Sequence, residues 1–318
     1  MKLTSATSFF EECTSMTSQI PNGLFRNLVA LSDVSYFFNG CTNLFTEVPR
    51  EMFYGCPNVQ FMAGMFRNCQ KLYGDIPTDL FDYSNKISSI ASLFENCYNL
   101  TSEIPSNFFA KCGNVQDMSA VFRNDYNIQG TIPEGLFYGC VKAVNMSSMF
   151  ENCKSLRKDL SEEMIYCVPE DLFIDCPNLE NVSSMFSMWG TVGGGTRMTG
   201  EIPPRLFEPC SKLLYANYLF SGAALTGELS DTIFYRSINL KEMNYAFAST
   251  RLTSIDDNVF INNKSLTKVE GLFSGCSSMQ GNAYQFWNGE HPLITDYGQC
   301  YRNCTSLTDY ETIPPTWK

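Results

Sequence analysis

The sequence predicts an α/β solenoid of ten to eleven coils of about 28 residues, with short parallel strands on one face and short helices or 3₁₀ turns on the other. Three observations point there. An Ile-Pro-x-x-x-Phe phrase recurs at even intervals. Phenylalanines fall on two alternating steps. Most cysteines stand three places after one of those phenylalanines.

The phrase reads IPNGLF at 20–25, VPREMF at 48–53, IPTDLF at 76–81, IPSNFF at 104–109, IPEGLF at 132–137 and IPPRLF at 202–207. From Ile20 to Ile132 its first residue advances by 28 each time, and Leu160 in LSEEMI continues the series. From Phe25 to Phe150 the paired phenylalanines alternate steps of 13 and 15. The step of 13 survives as far as Phe260 and Phe273, so insertions are confined to the other part of each coil. A single coil could not bury its phenylalanines, whereas stacked coils share one continuous core.

Within a coil, the stretch 100–125 shows the order of elements. LTSEI puts Leu100, Ser102 and Ile104 on one side and Thr101 and Glu103 on the other, the period of a strand. Pro105 stops that strand and suits a first helical turn. SNFFAKC is then expected as one or two helical turns. Val115, Met118 and Val121/Phe122, spaced by three and four, are expected as a second helical stretch with one apolar face. The middle strand position is small in Ser18, Thr46, Gly74, Ser102, Gly130, Gly200, Gly227, Ser254 and Gly281, and is expected to point inward where room is short. Lys158 breaks that rule, which predicts local distortion.

The chain 1–318 reads as one solenoid. Repeat coils occupy 1–278, with insertions near 166–173 (YCVPEDLF, a near-duplication) and 189–197 (WGTVGGGTR), and 279–318 is an atypical C-terminal capping repeat. The glycine run has no Lys-Ser/Thr after it and reads as a surface insertion rather than a phosphate loop. In the cap Tyr301 stands for Phe and Cys304 for Cys. Trp287 and Trp317 replace the second Phe, and His291 is expected to be exposed. The chain opens in mid-coil at Phe10, Cys13 and Met16, so the first coil's core should be uncovered and further sequence upstream is expected.

Composition narrows the function. Hydrophobic residues make up 44% and charged residues 17%, enough for a packed core. Lys and Arg number 22 against 33 Asp and Glu, a net charge of −11 that disfavours nucleic acid and anionic membranes as partners. No apolar run approaches the ~18 residues that span a bilayer. The opening MKLTSATSFF lacks the apolar core of a signal peptide. A single histidine, His291, removes most triad and zinc readings. Acidic residues recur with the repeat instead of forming one singular cluster. No catalytic, cofactor-binding or metal-ligating residue is therefore assigned, and no cofactor is expected.

The fourteen cysteines offer the most tempting chemistry. One column is Cys13, Cys41, Cys69, Cys97, Cys153, Cys276 and Cys304, with Asp125, Ala223 and Thr250 in other coils. The second is Cys56, Cys112, Cys140, Cys176 and Cys210, with Leu28, Ser84, Ser237 and Asn263 elsewhere. Disulfide or metal partners should vanish together. Replacement one coil at a time favours reduced, buried thiols acting as small hydrophobes, with occasional bridges between neighbouring coils as the alternative. Cys300 takes the place of a repeat methionine and reads as core.

Strand residues pointing away from the core form a candidate binding face: Phe45, Glu47, Tyr73, Asp75, Thr101, Glu103, Asp159, Glu201 and Glu228. Carboxylates on adjacent strands, ~5 Å apart, would repel one another. Such a ladder suits a cationic partner or a weak site for hard cations such as Ca²⁺. Its plainer reading is solvation of an exposed sheet, one Glu being copied with the repeat. The aromatics Phe45 and Tyr73 beside Glu47 and Asp75 make the N-terminal half the sharper candidate.

FYGCPNVQFMAGMFRNCQKLYGDIP and FENCYNLTSEIP resemble the BspA-like leucine-rich repeats of surface proteins from anaerobic bacteria, sharing F-x-x-C-x-x-L. V-x-x-M-x-x-MF resembles a related repeat of bacterial surface lipoproteins. The resemblance covers essentially the whole chain. It implies a right-handed leucine-rich-repeat-type solenoid, exported or surface-attached, used for adhesion or protein binding, with no catalytic residues to carry over. The 28-residue coil and the lack of leader or anchor depart from the family pattern. Export in an anaerobe would reconcile surface location with free thiols. The expected function is a non-enzymatic cell-surface binding solenoid, monomeric, taking a host or bacterial surface protein or glycan. The alternatives are a structural surface-layer component and, less favoured, a glycan-active enzyme using a carboxylate pair.

Overall fold

Asp33, Phe61, Ser89, Asp117 and Asn145 occupy the same place in successive periods, and the chain lays them side by side. The computed structural model describes residues 2–156, 166–188 and 198–318. In it, parallel bridges join Ser5 to Asp33 and then each residue of this series to the next, 28 places on, as far as Asn145. The ladder continues through Asn181, Tyr215, Glu242, Lys268 and Asp296 in steps of 36, 34, 27, 26 and 28. The two long steps contain the duplicated and glycine-rich segments. The expected distortion at Lys158 lies outside the described residues.

This ladder runs through the very stretch expected to be helical. Among the described residues there is no α-helix, and 3₁₀ turns occur only in the cap, at Phe286–Asn288, Tyr310–Thr312 and Pro315–Trp317. Residues 106–111 of SNFFAKC are turns; in the second stretch Asp117 belongs to the ladder and turns begin only at Ser119. The backbone amides explain why. Ile90, Ser92, Phe94 and Asn96 donate to the carbonyls of Asp117, Ser119, Val121 and Arg123 on the next coil at 2.7–3.0 Å. Leu93, Glu95 and Cys97 close turns onto Ile90, Ser92 and Phe94 at 3.1–3.2 Å. A helix needs those same amides for its own i to i−4 bonds, and is ~10 Å wide. Coils stacked at strand-like spacing leave no room for it. In the first and last of these turns the third residue is left-handed, Ser92 (φ 56°) and Asn96 (φ 65°). Asn tolerates that region better than most residues, which accounts for Asn68, Asn96, Asn124 and Asn152 at equivalent places.

The strand phrases form a second, more broken series. Glu47 pairs with Tyr73, Gly74 with Leu100 and Glu103 with Gln129 as isolated bridges. Strand β1 (Thr199–Gly200) then pairs with β2 (Ala224–Leu225), and β3 (Glu228–Leu229) with β4 (Ser254–Ile255), all parallel.

Between the two ladders the aromatic rings form the core. Phe10, Phe38, Phe66, Phe94, Phe122, Phe150, Phe186, Phe220, Phe247, Phe273 and Tyr301 stack ring on ring, with centroids 5.1–6.1 Å apart. Each fully buried ring contributes roughly 1.5–3 kcal/mol. At the N-terminal end Phe9 is 70% exposed, and Phe10, Cys13 and Met16 are only half-buried.

All fourteen cysteines are free. Their thiols answer a local need. The Sγ of Cys41, Cys69, Cys97, Cys153, Cys276 and Cys304 donates at 3.0–3.2 Å to the carbonyl of Phe10, Phe38, Phe66, Phe122, Phe247 and Phe273 respectively. Substitutes in the second column do similar work: Asn263 Nδ2 donates to the Phe234 carbonyl at 3.1 Å, and Ser84 Oγ to that of Val59 at 2.7 Å. Burial pushes the Cys41 and Cys276 thiols up to about 11, which keeps them protonated and chemically quiet.

Three expectations need correction. The small strand position is not uniformly inward. A Cβ on Gly74, Gly130 or Gly227, all at φ near +80°, would meet Cγ of Glu47, Glu103 or Glu201 on the preceding coil at 2.7–3.0 Å. Thr46 and Ser102 instead use their hydroxyls to accept the amides of Ile20 and Ile76 at 3.1 and 3.2 Å. In the cap, Phe286 rather than Trp287 extends the second aromatic column, 5.2 Å from Phe260, and Trp317 stacks on it at 5.9 Å. His291 is buried, 4% exposed, because its loop folds onto the turn Phe286–Asn288. Its Nε2 lies 2.9 Å from the Tyr284 hydroxyl and its ring meets Phe286 edge-on.

Candidate binding face

Leu44, Thr46 and Val48 are buried, and Phe45 and Glu47 between them are exposed, so alternation along this strand sets the face. Phe45 is 55% exposed, and its ring centroid lies 4.5 Å from that of Tyr73 at a tilt of 30°. Glu47, Asp75, Thr101, Glu103 and Glu228 are exposed, and Glu201 is half-buried. Asp159 lies outside the described residues.

The register differs from a simple 28-residue stack. Glu47 faces Tyr73, Glu103 faces Gln129 and Glu228 faces Ser254, each 26 residues on. Among the described residues, no two carboxylates of the face are register partners, so the repulsive ladder expected from the period is relieved. The stems of Glu47, Glu103 and Glu201 lie instead across Gly74, Gly130 and Gly227. The signal was present in the sequence: each of these long acids is followed one coil later by glycine, whereas Asp75 is followed by Ser102.

Between the first two coils the strand ladder parts. No bridge joins 17–20 to 45–48, although Glu47 is bridged to Tyr73. The gap is a groove of about 630 Å³ lined by, among others, Gln19, Asn22, Glu47, Arg50 and Tyr73. Its walls are held by the bond from the Arg50 amide to Asn22 Oδ1 (3.1 Å) and from the Gly23 amide to the Arg50 carbonyl (3.2 Å). Sequence reasoning missed Arg50 and Asn22, which sit after the strand, in the variable positions of the Ile-Pro phrase. Among the described residues, no group of three or more His, Cys, Asp or Glu is arranged to hold a metal ion. No helix there is long and apolar enough to cross a membrane.

Among solved structures the chain is similar to a leucine-rich repeat protein from Bacteroides ovatus (16% identity over 99% of this chain and 85% of that one, TM-score 0.35). It is also similar to a leucine-rich cell surface protein from Faecalibacterium prausnitzii (15%, 92% and 82%, TM-score 0.31). A third is the leucine-rich-repeat ectodomain of the receptor kinase GASSHO1/SCHENGEN3 from Arabidopsis thaliana (17%, 83% and 29%, TM-score 0.47). The chain spans 29% of that ectodomain and 41% of a similar TDR receptor structure. No curated protein matches. A family model described as "Mycoplasma protein of unknown function, DUF285" matches residues 4–134 and 109–191, together more than half of the sequence, and the chain belongs to that family.

Proposed function

We propose that this chain is a non-enzymatic, BspA-like adhesion solenoid displayed at the cell surface. It works as a monomer and binds a host or bacterial surface macromolecule through the stripe Phe45, Glu47, Tyr73, Asp75, Thr101, Glu103, Glu201 and Glu228, with Asp159 as a further member. The observation that carries this reading is the solvent-facing Phe45–Tyr73 ring pair beside acids whose carboxylates have no hydrogen bond or ion pair among the described residues. A fold gains nothing from leaving a phenylalanine half in water, and such exposure beside polar groups marks interaction sites. An enzymatic reading would want two converging carboxylates. The acids of the stripe face Tyr73, Gln129 and Ser254 instead of each other.

The test is binding of the purified chain to cultured epithelial cells and to bacterial cells, read by flow cytometry. Phe45→Ala/Tyr73→Ala and Glu47→Gln/Asp75→Asn/Glu103→Gln are each expected to lower binding about tenfold, as loss of anchor residues does. Binding unchanged in both variants would remove the stripe. A rise in thermal stability alone, without a binding loss, would reduce its acids to mutual repulsion.

A further inference from the structure

We infer that the groove between the first two coils is a saccharide subsite that takes a neutral, hydroxyl-rich sugar of a glycan. The inference rests on the binding role proposed above and names the chemistry of its occupant. At about 630 Å³ the groove has the size of a small-molecule site rather than of a broad protein interface. It brings a carboxylate, Glu47, and a guanidinium, Arg50, to one opening, and neither has a hydrogen bond or ion pair among the described residues. A cationic ligand would meet Arg50. An anionic one would meet Glu47 and a chain of net charge −11. An apolar one would strip water from both charges without return.

A pyranose satisfies every wall. One of its faces is built of C–H groups and can lie on the ring of Tyr73, which lines the groove and is backed outside it by Phe45, with ring centroids 4.5 Å apart. Its rim of hydroxyls both donates and accepts. Glu47 can accept from adjacent hydroxyls, Arg50 can donate in a fork, and Gln19 can do either. The site is also held in place before any ligand arrives. The Arg50 backbone is tied to Asn22 and Gly23 of the first coil, and Thr46 Oγ1 accepts the Ile20 amide at 3.1 Å. Such preorganisation lowers the entropic cost of binding.

Isothermal titration of the full chain with cellotetraose, mannotetraose and chitotetraose tests this, with a lysine-rich decapeptide as the competing probe. At least one saccharide should bind. Tyr73→Ala, Glu47→Gln and Arg50→Gln should each weaken it by about tenfold or more, while Asp256→Asn on a distant coil leaves it unchanged. Circular dichroism melts confirm that each variant is folded. Saccharide binding that survives all three substitutions overturns the site. Binding of the lysine-rich peptide alone, lost in Glu47→Gln, overturns the sugar and leaves the surface-binding role standing. No saccharide binding, together with cell binding that depends on Phe45 and Tyr73, does the same. Failure of every probe and of cell binding overturns both.

Discussion

Asp125 stands where the neighbouring coils place a cysteine. It is fully buried, its Oδ1 accepts the Cys97 amide at 2.6 Å, and its Oδ2 has no hydrogen-bond partner among the described residues. Burial raises its carboxyl well above the usual range, against the smaller opposing effect of that amide. In the unfolded chain it ionises near pH 4. The folded state then binds the extra proton, so stability is lost as pH rises above that point. Asp125→Cys should therefore stabilise the chain by about 1–3 kcal/mol at pH 7 and by less at pH 4, read as melting temperatures. His291 works in the opposite sense. Burial lowers its imidazole to about 4. Lys264, a smaller contributor, pushes the same way, while the Asn263 backbone and Glu290 oppose. Its contribution is complete above pH ~6.5 and is lost as pH falls toward 4, to a total of about 2–3 kcal/mol. His291→Phe should flatten the acid limb of the stability curve between those values. That the cysteines are free and buried was legible in the sequence, because substitution one coil at a time already spoke against pairing, whereas their bonds to the carbonyls of the preceding coil were not. Burial of His291 was not, since nothing local distinguishes a loop that folds inward from one that does not.

At the scale of elements, alternation was readable and turn conformation was not. Leu44–Val48 alternates and is strand-like in fact. Val115, Met118, Val121 and Phe122 repeat every three to four residues. That spacing is shared by a helix and by tandem four-residue turns, and only the demand of neighbouring coils for backbone amides decides between them. Strand register was hidden for a related reason. The period sets coil length, but pairing also depends on how the strand slants, hence partners 26 residues apart within a 28-residue repeat. The glycines opposite Glu47, Glu103 and Glu201 answer both to left-handed backbone and to a close neighbour. Gly130→Ala should cost about 1–2 kcal/mol from backbone conformation, plus displacement of the Glu103 stem. Asn in its place should cost less, because it tolerates that region, and denaturant midpoints would show the order. The stripe itself was readable residue by residue, whereas the groove was not, because it arises where two coils fail to pair.

The whole molecule is governed by contacts between nearest neighbours. Removing residues 89–116, one complete coil, joins Ser88 to Asp117 and keeps every column in phase. That variant should fold and melt cooperatively by circular dichroism. Removing only 89–102 puts aromatic and strand positions out of phase, and should leave material that elutes expanded on size exclusion. Most inter-coil amide bonds also point along the pile, forward from turn to turn and backward from strand to strand, as in Phe94 to the Val121 carbonyl and Tyr73 to that of Thr46. Tension applied between the two tips therefore falls on one layer at a time. Each 28-residue layer that peels away would pay out roughly 90–100 Å of slack. A body tethered by this chain would be let out in notches, longest where the steps are 36 and 34 residues and shortest where one is 26. The protein would thus behave under load as a ratcheted spring rather than a rigid post.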